Sequence, residues 1–223
     1  MTMDGKSVDV KHRRRYDSSG RLAAARRSRA QVLAHARGRF LRDGYAATTV
    51  AAIAAEAGVS VETVYKAFGG KAGLVRAICT DALEGEGSTP AEERSDALAR
   101  SAQDPRAVIR GWATLATEVA PRIVPVLLLV RTAAATDEEM AGLYADLEDT
   151  RLQRMSSNAG RLARTGRLRP GVDARRAGEV MWTYSSPELF ELLVLRRGWS
   201  VAAYGEFIAQ AMIAALLPAP DGQ

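Results

Sequence analysis

Apolar residues recur at helical intervals from about Ala23 to the end of the chain, and no stretch alternates with the two-residue period of a half-buried strand. In "RRSRAQVLAHARGRFLRDGY" the positions Leu33, Ala36, Phe40 and Leu41 form one stripe, and Gly44 supplies the stop. Thr49 is set to cap a short second helix whose inward residues Val50, Ile53, Ala54 and Ala57 share a face, and Gly58 ends it. Ser60 caps a third, "VETVYKAF", with Val61, Val64 and Phe68 expected inward and Glu62, Thr63, Tyr65 and Lys66 outward. A fourth helix is expected from Lys71, after Gly69-Gly70, turning Leu74, Val75 and Ile78 to the core.

"EGEGSTP", Glu84 to Pro90, is the clearest break. Start signals then repeat. Thr89-Pro90 with Glu92 opens one helix, Asp104-Pro105 another, and Thr136 with Glu139 forms a capping box. The stripe that follows, Met140, Leu143, Tyr144, Leu147, Met155, Ala159 and Leu162, runs to Gly166. Asp173 caps "ARRAGEVMWTYS", Ser186-Pro187-Glu188 opens "ELFELLVLRRG", and Ser200 opens "VAAYGEFIAQAMIAALL". The pattern predicts an all-α protein of about nine or ten helices.

The net charge of +5 changes the picture because it is unevenly distributed. Residues 1 to 76 hold 15 Lys/Arg against 6 Asp/Glu, a surplus of +9, and the remainder sums to −4. A basic N-terminal third beside a neutral-to-acidic remainder predicts contact with a polyanion through that third alone. Residues 1–22, which carry "KHRRR" and no apolar period, read as a disordered basic arm. Two short helices separated by "AGVS" have helix-turn-helix spacing, so residues 23–70 read as a three-helix DNA-binding domain. Residues 71–223 then read as a larger helical bundle.

Other chemistry is sparse. His12 and His35 are the two histidines, and no phosphate loop or nucleophile elbow occurs, so neither an enzyme nor a cofactor or metal is expected. The longest apolar run, "IVPVLLLV", falls short of the roughly 20 residues of a bilayer span, and no secretory h-region occurs. With the single cysteine, Cys79, this predicts a cytoplasmic protein without a membrane partner.

"TTVAAIAAEAGVSVETVYKAFGGKAGLVRAI", Thr48 to Ile78, closely resembles the DNA-binding region of TetR-type transcriptional regulators. The pattern T-x-x-x-I-A-x-x-A-G-V-S-x-x-T-x-Y-x-x-F-x-x-K-x-x-L is filled by Thr49, Ile53, Ala54, Ala57, Gly58, Val59, Ser60, Thr63, Tyr65, Phe68, Lys71 and Leu74. The likeness covers about residues 25–78. "FGGK" departs from the family's commoner turn.

The resemblance implies that the third helix enters the major groove of an operator. Thr63 and Lys66 would reach base edges and Tyr65 a phosphate or thymine methyl, with Thr49 and Ser60 at phosphates. Tyr65 as a core residue with its hydroxyl in water is the alternative, and Glu62 reads as a rim or specificity residue. Arg13, Arg14, Arg15, Arg26, Arg27 and Arg29 are candidates to follow the DNA backbone, or the arm to enter the minor groove; a solubilising tail is the other reading. Lys71 would oppose its own helix dipole in water, so it is expected to face phosphate, unless the helix begins a residue or two later.

"ELFELLVL" and the last helix are apolar over more surface than one neighbour covers, which makes Leu189, Leu193, Tyr204, Ile208 and Met212 candidates for a homodimer interface. The resemblance implies that residues 71–223 are the regulatory and dimerisation domain, in a family that usually dimerises through a four-helix bundle. Trp112, Tyr144, Met155, Trp182 and Tyr184 are candidates to line a ligand pocket, with core packing the other reading of each, and Arg131 to pair with an acidic ligand, to snorkel, or to pair with a carboxylate of the chain. The expected function is a homodimeric regulator, more a repressor than an activator, released from a pseudo-palindromic operator by an unnamed small molecule. An effector-independent DNA-binding or architectural module is the competing class.

Overall fold

The computed structural model describes residues 18–85, 89–101 and 104–219, and among these every regular element is helical. The elements are α1 (Ser18–Asp43), α2 (Val50–Glu56), α3 (Val61–Phe68), α4 (Lys71–Glu84), α5 (Ala91–Ser101), α6 (Pro105–Ala133), α7 (Glu138–Ala163), α8 (Ala174–Tyr184), α9 (Pro187–Phe190) and α10 (Val201–Leu216). A π-helical turn, Glu191–Arg196, continues α9.

Local chemistry sets most boundaries. Thr49, Ser60, Asp104, Asp173, Ser186 and Ser200 each accept a backbone N–H two or three residues on, satisfying a donor that a helix start leaves free. Two boundaries differ from the sequence reading. α1 is already helical at Ser18, the first described residue, so it reaches into the segment read as arm; extending a helix anchored by Val32, Ala36 and Phe40 needs no new nucleus. α7 is capped by Asp137, not Thr136: the Thr136 N–H is used in the turn after α6, donating to the Ala133 carbonyl at 3.1 Å, while Asp137 accepts from Met140 N at 2.9 Å.

α6 is the axis of the larger bundle, with α4, α5, α7 and α10 packed on it. By length and composition it is apolar enough to cross a bilayer, yet Val108, Ile109, Ile123, Val124, Val126 and Val130 are buried against the other helices. It runs through Pro121 and Pro125, each of which deletes a helical hydrogen bond, so packing maintains it. α10 lies close against it at Gly205, where a Cβ would stand 2.3 Å from Thr117 Cγ2.

The N-terminal unit has its own layer of core: Phe40 of α1, Ile53 and Ala54 of α2, Val64 of α3, and Leu74, Val75 and Ile78 of α4. Val61 is corrected by the structure, being 40 % exposed in the first turn of α3. Val59, in the turn before the Ser60 cap, packs on the core, and Val64 and Phe68 carry the inward face from there. α4 touches α1 and α3 at one side and α5, α6 and α7 at the other, so it belongs to both units.

Candidate nucleic-acid interface and internal cavity

α3 owes its orientation to two glycine turns. Gly58 (φ 66°) makes the corner after α2, and Gly69 (φ 79°) ends α3 in the left-handed region that a Cβ disfavours. Val64 is fully buried, so the opposite side, with Val61, Glu62, Thr63, Tyr65 and Lys66, is left in solvent. Ser60 Oγ accepts from Thr63 N at 3.1 Å and lies 2.8 Å from Thr63 Oγ1, which fixes the rotamer of a side chain predicted to meet DNA. Thr49 is exposed and accepts from Ala52 N at 3.2 Å. Tyr65 is 52 % exposed, so it is not the core residue of the alternative reading, although one edge of its ring lies over the buried Gly70.

Arg26 and Arg27 are exposed on α1. Arg13, Arg14 and Arg15 lie outside the described residues. Arg29 is engaged within the chain, its guanidinium 4.5 Å from the Phe68 ring centroid and donating to the Ala67 carbonyl at 3.5 Å, which ties α1 to the end of α3.

Lys71 departs from the expectation. Its ammonium donates to the Tyr45 carbonyl at 2.8 Å and sits 4.2 Å from the centroid of the Tyr45 ring, itself stacked on Phe40. A cation–π contact and a charged hydrogen bond outweigh the small penalty of a cation at its own helix N-terminus. Lys71 thus tethers α4 to the loop after α1. Lys71→Met is expected to lower thermal stability by about 1–2 kcal/mol and leave the salt dependence of DNA binding unchanged. Melting curves with DNA titrations at several salt concentrations check this.

Tyr45 reaches further: burial first, then the nearby Asp137 and Glu139 carboxylates at the start of α7, push its phenol up to about 12. Arg76 of α4 also pairs with Asp146 of α7 at 3.1 Å. At the other end of α4, Arg122 of α6 donates to the carbonyls of Asp81 and Gly85, both at 3.2 Å, placing a cation on the negative end of the helix. Arg37 of α1 in turn donates to the Arg122 carbonyl at 3.2 Å. Gly85 (φ 78°) lies at a positive φ that a Cβ disfavours, and a Cβ there would also crowd Glu118 Oε1 at 2.5 Å.

A cavity of about 510 Å³ lies in the larger bundle, between α5, α6, α7, α8 and α10, with Leu83 from the last turn of α4 in its wall. Of the candidate ligand residues, Trp112, Met155 and Tyr184 line it. Arg131, Tyr144 and Trp182 are not among the lining residues; for Tyr144 and Trp182 this is a correction, and for Arg131 it is the carboxylate alternative that holds. Arg131 pairs with Glu188 and Glu191, both at 2.9 Å. Trp182 is stacked beneath the Arg151 guanidinium, 4.6 Å from its centroid. Tyr144 packs partly buried beside the same acidic groups, its phenol raised by burial and by Glu148 and Glu188.

Tyr204, Ile208 and Met212 also line the cavity, with 2 %, 1 % and 6 % exposure, so they are buried within the protomer and are not the surface a second chain would meet. Leu189 and Leu193 are half-buried. The apolar side chains left outside in this region are Leu192 and Leu195 on the π turn, Trp199, and Phe207 on α10, with Trp199 and Phe207 edge-to-face at 5.7 Å. Sequence reasoning missed this patch, and it missed the cavity's buried polar pair Ser95 and Asn158.

Residues 32–78 match the family model of the bacterial regulatory proteins of the tetR family. No curated protein matches the chain. Among solved structures, NalD, the secondary repressor of the MexAB-OprM multidrug efflux pump in Pseudomonas aeruginosa, is 21 % identical, covering 90 % of this chain and 100 % of its own, with a TM-score of 0.66. The SmeT–triclosan complex is 20 % identical over 86 % of this chain and 93 % of its own, with a TM-score of 0.68. A putative transcriptional regulator from Saccharomonospora viridis in complex with choline is 20 % identical over 87 % of this chain and 100 % of its own, with a TM-score of 0.61.

Proposed function

We propose, for a chain whose residues 32–78 are a tetR-family helix-turn-helix domain and whose described residues have the fold of that family's regulators, that it is a DNA-binding transcriptional regulator answering to a small molecule. The observation that carries the reading is α4, which starts at the Lys71–Tyr45 tether beneath the recognition helix and ends with Leu83 in the cavity wall. A molecule seated in the cavity meets the same rigid helix that positions α3.

On this reading residues 1–17 and the first turns of α1 form a basic arm, α1–α3 the DNA-binding domain, and α4 onward the regulatory bundle. Thr63, Lys66 and Tyr65 read bases, with Val61 available to a thymine methyl, while Thr49, Ser60, Arg26 and Arg27 meet phosphates. The exposed Leu192, Leu195, Trp199 and Phe207 support a homodimer, which sets the spacing of two recognition helices on a pseudo-palindrome. The protein acts in the cytoplasm as a repressor, and ligand shifts it toward a spacing unfit for the operator. A hundredfold loss of affinity needs about 2.7 kcal/mol of coupling. The relatives bound to triclosan and choline support a regulator that takes small molecules.

Selection of bound DNA from a random pool, followed by ligand-induced release of the selected sequence, tests the function directly. Recovery of no enriched sequence would overturn it, and an enriched operator that no ligand releases would favour an effector-independent module. Tyr65→Ala and Lys66→Ala are expected to weaken operator binding by about 1–3 kcal/mol each without dissociating the dimer. Binding of the unaltered protein should fall steeply with salt. Unchanged gel-shift affinity in both variants would remove α3 from the interface.

A further inference from the structure

The cavity wall contains four charged side chains, Glu92, Glu148, Arg151 and Arg154, and each is already paired. Arg151 lies 2.7 Å from Glu148 and also donates to the Trp182 carbonyl at 2.5 Å. Arg154 lies 3.0 Å from Glu92 and 2.8 Å from Asp96. The hydrogen bond from Arg161, with the charge of Arg154 added, holds the Asp96 carboxyl below the usual carboxylate range, so this group stays ionised at neutral pH. A charged ligand would have to leave its charge unpaired against an apolar wall or break one of these pairs.

One buried polar atom in the wall remains without a partner. Asn158 is 3 % exposed; its Nδ2 lies 3.5 Å from Ser95 Oγ, and its Oδ1 has no hydrogen-bond partner among the described residues. The Ser95 carbonyl is taken by Trp112 Nε1 at 3.2 Å. A buried amide oxygen left unpaired is costly, and because Asn158 lines the cavity, a donor on a molecule there that reaches this oxygen gains a hydrogen bond.

We propose that the cavity selects an uncharged, largely apolar molecule carrying one hydrogen-bond donor, a hydroxyl or N–H, which pairs with the Asn158 amide oxygen. That this molecule is also the effector rests on the regulatory reading above. The volume of about 510 Å³ suits a compact ring system.

Calorimetry on the full-length protein with four matched probes tests this: 2-naphthol, 2-methoxynaphthalene, 2-naphthoate and 2-naphthylmethylammonium. Naphthol should bind, its methyl ether about tenfold more weakly for want of the donor, and both ions about a hundredfold more weakly. Asn158→Leu should bring naphthol and its ether to equal affinity, and Asn158→Ser, a smaller change, should narrow the gap if the leucine variant fails to fold. Met155→Trp, which fills the cavity, should abolish binding. Equal or tighter binding of either ion, no preference for naphthol over its ether, no binding of any probe, or naphthol binding that survives a folded Met155→Trp each overturns the proposal. The predicted ranking without release of operator DNA would uphold the ligand class and remove the regulatory reading instead.

Discussion

Gly73→Ala is expected to lower the melting temperature by several degrees and to remove operator binding, while Gly142→Ala does neither. A Cβ at Gly73 would stand 1.6 Å from the carbonyl oxygen of Phe68, a backbone atom at the end of α3 that no rotamer change can move away. The α3–α4 junction must open, and Val64 and Leu74, both fully buried, lose contact as it does. Overpacking of this kind costs about 1–3 kcal/mol, or about 2–4 °C per kcal/mol in a chain of this length. The effect on DNA is larger than the melting shift implies, because a tilt of α3 misplaces Thr63, Tyr65 and Lys66 together. At Gly142, on an exposed turn of α7, a Cβ meets nothing within 4 Å, and alanine gains about 1 kcal/mol of helix propensity. Thermal melts and gel shifts on the pair separate a helix-junction effect from a general glycine effect. A Gly73→Ala protein that melts and binds like its parent would show that the junction tolerates the methyl.

The helix-turn-helix fold was legible in the sequence because its determinants are local. Thr49 and Ser60 cap within three residues, and Gly58 and Gly69 occupy left-handed positions that few other residues tolerate. The tether made by Lys71 was not legible for the converse reason: its partner, Tyr45, is 26 residues away, and nothing in the spacing announces a cation–π contact. α10 was ambiguous in a different way. It is apolar nearly all round, so periodicity could not tell the face turned to the cavity, Tyr204, Ile208 and Met212, from the neighbouring face that carries Phe207. Asn158 interrupts the apolar stripe of α7 and gave no signal beyond being polar among Met155, Ala159 and Leu162; only burial and an unpaired oxygen mark it out.

The same ambiguity on α10 supplies the sharpest test of assembly. Leu195→Glu with Phe207→Glu is expected to turn the proposed dimer into a folded monomer, whereas Ile208→Glu, one residue away, should fail to fold. Leu195 and Phe207 are 52 % and 37 % exposed, so in the isolated chain their carboxylates would remain in water, but across an interface they would be desolvated without partners. Ile208 is 1 % exposed within the bundle, and a carboxylate there would be buried in the protomer itself. For the double variant, sedimentation velocity should report the monomer mass, with the helical circular dichroism retained. Operator affinity should fall by about 10²–10⁴, because the second recognition helix is no longer held at high effective concentration beside its half-site. A half-site alone should bind variant and parent with similar weak affinity, since α3 is untouched. Persistence of the dimer in the double variant would move the interface off this patch, and full operator affinity in a monomer would mean that one copy of α3 suffices.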